Sequence, residues 1–231
     1  LGDGGYFERA TYYHRYTIDF YVHYLLLSGE RPAPRGETEE IVKRTIVHCA
    51  LLAAHDGEIP LVGDSDGGRL LFLDGEKTSV RGACCAAAAI LGDGELKGLA
   101  GGAFPEEALW LLGARGLERY RSVDSSRRDS YHSMNDETGW FCFRQGQDAG
   151  DSSLTIDCGP HGWGRCGHAN ADLLSVLWND RGTNVLVDQG NATYGGDVSL
   201  RNLTRSSQCH NTFTLGGVSQ SIPAGVFDWE R

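Results

Sequence analysis

Apolar residues recur at three- and four-residue spacing through the first half of the chain and fall into short, partly alternating runs through the second. From Thr17 to Leu27, the positions Ile18, Tyr21, Val22 and Leu25 mark one helical face, and Ser28-Gly29 closes the run. Arg31-Pro-Ala-Pro-Arg-Gly reads as a linker. Thr38 can then cap a second helix whose first turn holds Glu39 and Glu40, complementing the helix dipole. Its apolar face is expected at Ile41, Thr45, Val47 or His48, Leu51 and Leu52. An alanine-rich third helix covers about Val80 to Leu91, with Gly92 as its terminator. A fourth starts at Pro105 and is expected to stop at Gly113. Between the second and third, VGDSDGGRLLFLD reads as an ordered loop.

The period changes near Gly116. Trp140-Phe-Cys-Phe-Arg, Leu154-Thr-Ile-Asp, Leu173-Leu-Ser-Val-Leu-Trp, Val185-Leu-Val-Asp and Thr212-Phe-Thr-Leu are strand-length runs separated by glycine- and asparagine-rich turns, as in a β-sandwich. The expected organisation is a helical part over residues 1–116 and an antiparallel β-sandwich over 117–231, an α+β multidomain class.

Composition narrows the functions open to such a chain. Its 231 residues carry Lys+Arg 21 against Asp+Glu 31, a formal net charge of −10, which argues against a dedicated nucleic-acid partner. No apolar stretch of 18 residues exists, so no membrane span is expected. The seven cysteines form no C-x-x-C pair, so neither a disulfide framework nor a zinc ribbon follows, and most are expected as small buried hydrophobes. LGDGGYFERA lacks a basic-then-apolar leader, and the chain reads as an internal stretch of a longer protein.

Polar residues that a core would not want gather in three places. Tyr12-Tyr13-His14-Arg15-Tyr16 opens the first helix, with tyrosines one turn apart, where a phenol beside a cation can join in proton transfer. Gly159-Pro-His-Gly-Trp-Gly-Arg-Cys-Gly-His168-Ala-Asn170-Ala-Asp172 is a glycine-rich loop. If a strand has already begun there, His168, Asn170 and Asp172 share one face as a metal or substrate edge. Asp188 ends an apolar run and His210 is expected to begin a strand. Together with the row at His168 they could close around one divalent ion.

At these residues the chain resembles the heparinase II/III-like polysaccharide lyases and their alginate-lyase relatives. DGGYFERATYYHRYTIDFY is similar to the family's last toroid helices with their tyrosine. IPLVGDSDGGRLL and FPEEALWLLG are similar to the helical segments that follow. GHANADLLSVLW, NVLVDQGNATYGG and RNLTRSSQCHNTFTLGG are similar, in order, to the start of its β-sandwich.

The resemblance implies the C-terminal part of an (α/α) toroid followed by an antiparallel β-sandwich, and β-elimination on an acidic, uronate-containing polysaccharide in the periplasm or outside the cell. It makes Tyr16 the proton-transferring tyrosine, with Tyr13 as the alternative one turn away, and His168 the catalytic histidine. It implies His14, Arg15, Arg201, Arg205 and Tyr194 as substrate-binding. Asp188 and His210 match the ligands of a structural zinc ion. Asn170 stands where the family has a histidine, which weakens the site because amide oxygen is the poorer zinc ligand. No organic cofactor is implied. The alternatives are a non-catalytic carbohydrate-binding or exopolysaccharide-assembly protein on the same fold, and a metal-dependent hydrolase using Asp188 and His210.

Overall fold

The computed structural model describes residues 1–29, 36–54, 56–71, 78–126, 130–135, 137–146 and 150–230. Helix α1 (Thr11–Ser28) begins earlier than the apolar spacing indicates, because the tyrosine-rich segment is already helical. Helix α2 (Gly36–Leu52) carries Glu37 and Glu39 in its first turn, and the linker expected at Arg31–Arg35 lies outside the described residues. Its buried face is Val42, Ile46, Cys49 and Ala50, whereas Ile41 is 44% exposed. Of the expected face, His48 and Leu52 are buried, while Ile41 and Thr45 yield their places to Val42 and Ile46, one residue on, a step of about 100° on a helix with 3.6 residues per turn.

Helix α3 (Arg81–Leu91) ends as expected, with Gly92 left-handed at φ 70° and its N–H bonded to the Ala88 carbonyl. Its side chains are buried from Gly82 to Ala89, and their small size lets α1, α2 and two further helices pack against it on several sides. One is α4 (Gly94–Ala100), absent from the reading of the apolar pattern. Asp93 starts it by accepting from the backbone N–H groups of Glu95 and Leu96. The other is α5 (Glu106–Ser122). Its backbone breaks at Gly113 (φ 63°, ψ −167°), but the helix resumes beyond the expected stop and runs through Gly116.

Five antiparallel strands follow in sequential order as one sheet: β1 (Ser130–Asn135), β2 (Trp140–Gln145), β3 (Ser152–Asp157), β4 (Val176–Asp180) and β5 (Thr183–Leu186). Trp140 lies opposite Asp157, Leu154 opposite Trp178, and the β4–β5 register shifts at Trp178/Asn179. Alternation sorts the faces: Trp140, Cys142, Thr155, Asp157, Leu177 and Asn179 are buried, whereas Phe143 and Trp178 stand exposed. Trp140, Cys142 and Leu177 pack with Leu52 and Val62, which joins the sheet to the helical part. The chain closes with α6 (Val198–Thr204), a 3-10 turn at Ser207–Cys209, and the small pair β6 (Pro223–Gly225) and β7 (Asp228–Trp229).

Two expected strand segments differ. Leu173–Ser175 precede β4 as irregular chain, and Thr212–Leu215 form no strand, with Phe213 and Leu215 exposed and only an isolated bridge from Leu215 to Val218. The loop expected at VGDSDGGRLLFLD is irregular from Val62 to Leu71, and its remainder lies outside the described residues. The cysteines form no disulfide among the described residues, and Cys49, Cys84, Cys85 and Cys142 are buried. Among the described residues no helix is long and apolar enough to cross a membrane.

Candidate functional site

Segments far apart in the chain meet at His168. The glycine-rich loop turns tightly there, with Cys166 N donating to the Trp163 carbonyl at 3.0 Å and Ala169 N to the Cys166 carbonyl at 3.1 Å. It lies against the loop at Val62–Asp66, where Asp64 N donates to the His168 carbonyl at 2.8 Å. Gly63 permits this approach. A Cβ there would sit 2.7 Å from the His168 carbonyl oxygen and 2.8 Å from that of Arg9, at a φ of +75°.

The side chain of His168 is 25% exposed, and its Nδ1 lies 3.2 Å from Oδ2 of the buried Asp64. Arg201 grips the same carboxylate as a two-pronged fork, Nη1 to Oδ1 at 2.8 Å and Nη2 to Oδ2 at 2.6 Å. Its guanidinium lies against the neighbouring rings of Phe227 at 4.7 Å and Tyr194 at 5.6 Å, while Nε donates to the Val226 carbonyl. Around His168 stand the rings of Tyr13 at 4.7 Å, Phe227 at 5.9 Å and Tyr194 at 6.2 Å, the last nearly parallel. The Tyr13 hydroxyl lies beside Tyr194. Burial, with that neighbour adding to it, pushes its pKa above the ordinary phenol value of 10. Tyr13 is a neutral phenol at physiological pH, a proton donor in waiting.

The structure therefore brings together Tyr13, His168, Tyr194 and Arg201 from the expected set. Tyr16 packs on Phe20 at 4.9 Å instead. Several expected substrate contacts face inward. His14 is buried, bonded through Nε2 to the Thr45 carbonyl, and held neutral by a pKa lowered to about 3 through burial. Arg15 is fully buried with Ser79 O, Asp19 and Glu107 as partners, so it serves the helical core and not a ligand. Arg205 is also fully buried. It stacks on Trp229 and spends its donors on Asn202 and the Gly225 and Val226 carbonyls. Arg201 likewise acts within the protein, through Asp64.

A second cluster lies beyond Asn170. The chain from His168 to Asp172 is irregular and not a strand, and the side chains part: His168 turns to Asp64, Asp172 to Asp188 and His210. Ligating atoms of Asp172, Asp188 and His210 lie within 4.8 Å of one another. His210 follows the 3-10 turn and starts no strand; its Nδ1 is 2.8 Å from Asp188 Oδ2. Burial opposes the His210 cation, yet the bond and charge of Asp188 outweigh it and raise the pKa. Burial lifts Asp172 to about 7, reinforced by the charges of Asp157 and Asp188, and lifts Asp157 to about 6 against the pull of Arg9. Asp172 Oδ2 and both amide atoms of Asn170 are buried without hydrogen-bond partners, and a cavity of about 170 Å³ adjoins Asp172, Asp157 and Arg9. Buried carboxylate and imidazole donors with an unsatisfied oxygen fit a divalent cation.

Residues 127–231 match the family model described as Heparinase II/III-like, C-terminal. This region is similar to the C-terminal part of the heparinase II/III-like family. No curated protein matches the chain by sequence. Among solved structures, a heparinase III gene product superposes with a TM-score of 0.70 at 21% identity, over 96% of this chain and 32% of that one. The heparan sulfate lyase HepC from Pedobacter heparinus gives 0.69 at 21% identity over 95% and 31%. A further heparinase III gives 0.67 at 17% identity over 94% and 32%. At these identities the likeness is one of fold: helices followed by an antiparallel sheet. The chain spans about a third of the length of each.

The site residues that pattern reading missed are Asp64, Phe227 and the Arg9–Asp157 pair. Asp64 lies in DSDGG, whose glycines mark a loop in close approach but not its partner, 104 residues away.

Proposed function

We propose that the protein is a polysaccharide lyase cleaving a uronic-acid-containing glycan by β-elimination, with Tyr13 and His168 as the proton-transferring pair. The observation that carries this is the contact of a half-buried tyrosine, its hydroxyl shielded from water, with a partly open imidazole inside a heparinase II/III-like fold. With Nδ1 engaged by Asp64, Nε2 of His168 is the ring nitrogen left for substrate. It takes the C5 proton, the C5–H electron pair becomes the C4–C5 double bond, and the C4–O bond breaks. Tyr13 donates its phenolic proton to the departing glycosidic oxygen. Both roles need closely set donor and acceptor groups, and Tyr13 and His168 are already adjacent. The helices read as the C-terminal part of an (α/α) toroid. A polymeric acidic substrate, which does not cross membranes, places the enzyme in the periplasm or outside the cell.

The cluster of Asp172, Asp188 and His210 is read as a structural metal site. A divalent ion would supply a tie between the His168 loop, the segment after β5 and the turn before His210, while these residues otherwise hold one another by the Asp188–His210 bond.

The test follows ultraviolet absorbance of the new C4–C5 double bond when the protein in its full natural length meets heparan sulfate, alginate and hyaluronan. A rise on at least one is expected. Tyr13→Phe should lower kcat by about 10²–10⁴-fold with thermal unfolding unchanged, whereas Tyr16→Phe should stay within a few-fold of wild type. No rise, with measurable glycan binding, would instead make this a binding or assembly protein on a lyase fold.

A further inference from the structure

We propose that Asp64 is the positioning residue of His168, fixing the imidazole as its Nδ1–H tautomer so that Nε2 presents the lone pair. The inference rests on the reading of His168 as the reacting imidazole, but the tautomer can be measured independently of any activity. Asp64 is 1% exposed, and Arg201 alone satisfies both of its oxygens. The bidentate fork aims two N–H donors at its two oxygens, so the carboxylate meets a further polar atom only as an acceptor. The contact of His168 Nδ1 with Oδ2 at 3.2 Å therefore requires the proton to sit on Nδ1.

The Asp64 backbone adds a second tie, its N–H to the His168 carbonyl at 2.8 Å, so ring and main chain are held from one residue. Arg201 is in turn fixed by the Phe227 and Tyr194 rings and by the Val226 carbonyl. The buried order Arg201–Asp64–His168 leads from a locked cation through its carboxylate to the partly open ring beside Tyr13.

Long-range ¹H–¹⁵N correlation NMR on the full-length protein reads the tautomer, with His168→Gln assigning the signal. The expected wild-type result, for the neutral ring, is a protonated Nδ1 and an unprotonated Nε2. Asp64→Asn, isosteric with the native side chain, should shift the population toward Nε2–H. It should cut kcat on the order of 10²–10⁴-fold with KM changed less than about threefold. A dominant Nε2–H form in wild type overturns the proposal, and that measurement stands even if the variant fails to fold. A native tautomer population in folded Asp64→Asn overturns it as well. Absence of lyase activity in wild type, with the Nδ1–H tautomer present, would sink the proposed function and leave the positioning intact.

Discussion

Asp172 occupies a setting that calls for a counter-ion. Its Oδ2 is buried without a partner, Asp157 and Asp188 add negative charge, and the cation of Arg9 is already committed to Asp157. Such a carboxylate either stays protonated or takes a cation. His210 has one nitrogen on Asp188 and offers the other edge of its ring. A hundredfold excess of ion over its dissociation constant would add about 2.7 kcal/mol to stability, which for a domain of this size is about 5–10 °C in Tm. Zinc, manganese and calcium added to chelator-stripped protein test this by differential scanning fluorimetry. At least one should raise Tm by that amount, and the rise should vanish in Asp172→Asn and Asp188→Asn. A Tm indifferent to all three ions would show that the cluster stands on hydrogen bonds and protonation alone. Asn170, two residues earlier, shows how far pattern reading reaches at this scale. The His-x-Asn-x-Asp row was legible as a polar edge. Only the irregular backbone, which strands do not share, sends its side chains to different partners.

Elements are held to one another by charge as well as by the alanine-rich core. Arg15 on α1 pairs with Asp19 and Glu107, and Arg69 pairs with the same two carboxylates at 3.4 and 3.1 Å, all four side chains being 5% exposed or less. The quartet is neutral as a whole and ties α1, the start of α5 and the loop at Arg69. Glu107→Gln would leave two buried guanidiniums facing one carboxylate, at a cost of about 3–5 kcal/mol. Urea unfolding should show this as a lower midpoint with an unchanged slope. A midpoint within error of wild type would mean that water or rearrangement replaces the missing charge. None of this was legible from spacing: Arg15 beside three tyrosines looked ligand-facing, and its partner Glu107 is 92 positions away. The elements that were legible carried their own punctuation, as α3 did with Gly92. Helix α4 escaped because its apolar face, Leu96, Leu99 and Ala100, spans little more than one turn of a seven-residue helix between glycines, and its start rests on the Asp93 cap. Thr212–Leu215 alternates like a strand, yet alternation fixes only which sides a segment can show, not whether another strand is present to pair with it.

Across the whole molecule, burial has shifted titrating groups in opposite directions, and acid stability reports the difference. His14 and His48 have lowered pKa values because burial disfavours the cation, His14 to about 3. Between that value and the unfolded value of 6.5, the unfolded chain binds protons that the folded chain refuses, so these groups destabilise the fold as pH falls below about 6.5. Asp157 at about 6 and Asp172 at about 7 have the reverse sign: the folded state holds protons that an unfolded carboxylate releases above about 4. Acidification therefore favours folding through them and opposes it through the histidines, which flattens the overall curve. The comparison of wild type with His14→Gln isolates one contribution, since the glutamine amide can still donate to the Thr45 carbonyl while carrying no titrating group. The groups facing His14 are His48, Asp3, the N-terminal amine and Tyr6, and they are common to both proteins. Lowering the pH from 7 to 4 should cost wild type on the order of 3 kcal/mol more than the variant, at about 1.4 kcal/mol per pH unit below 6.5. Denaturant titrations at four or five pH values measure the gap directly. Parallel curves for the two proteins would mean that His14 becomes charged in the folded state, through an opening of the α1–α2 contact that the closed packing does not show.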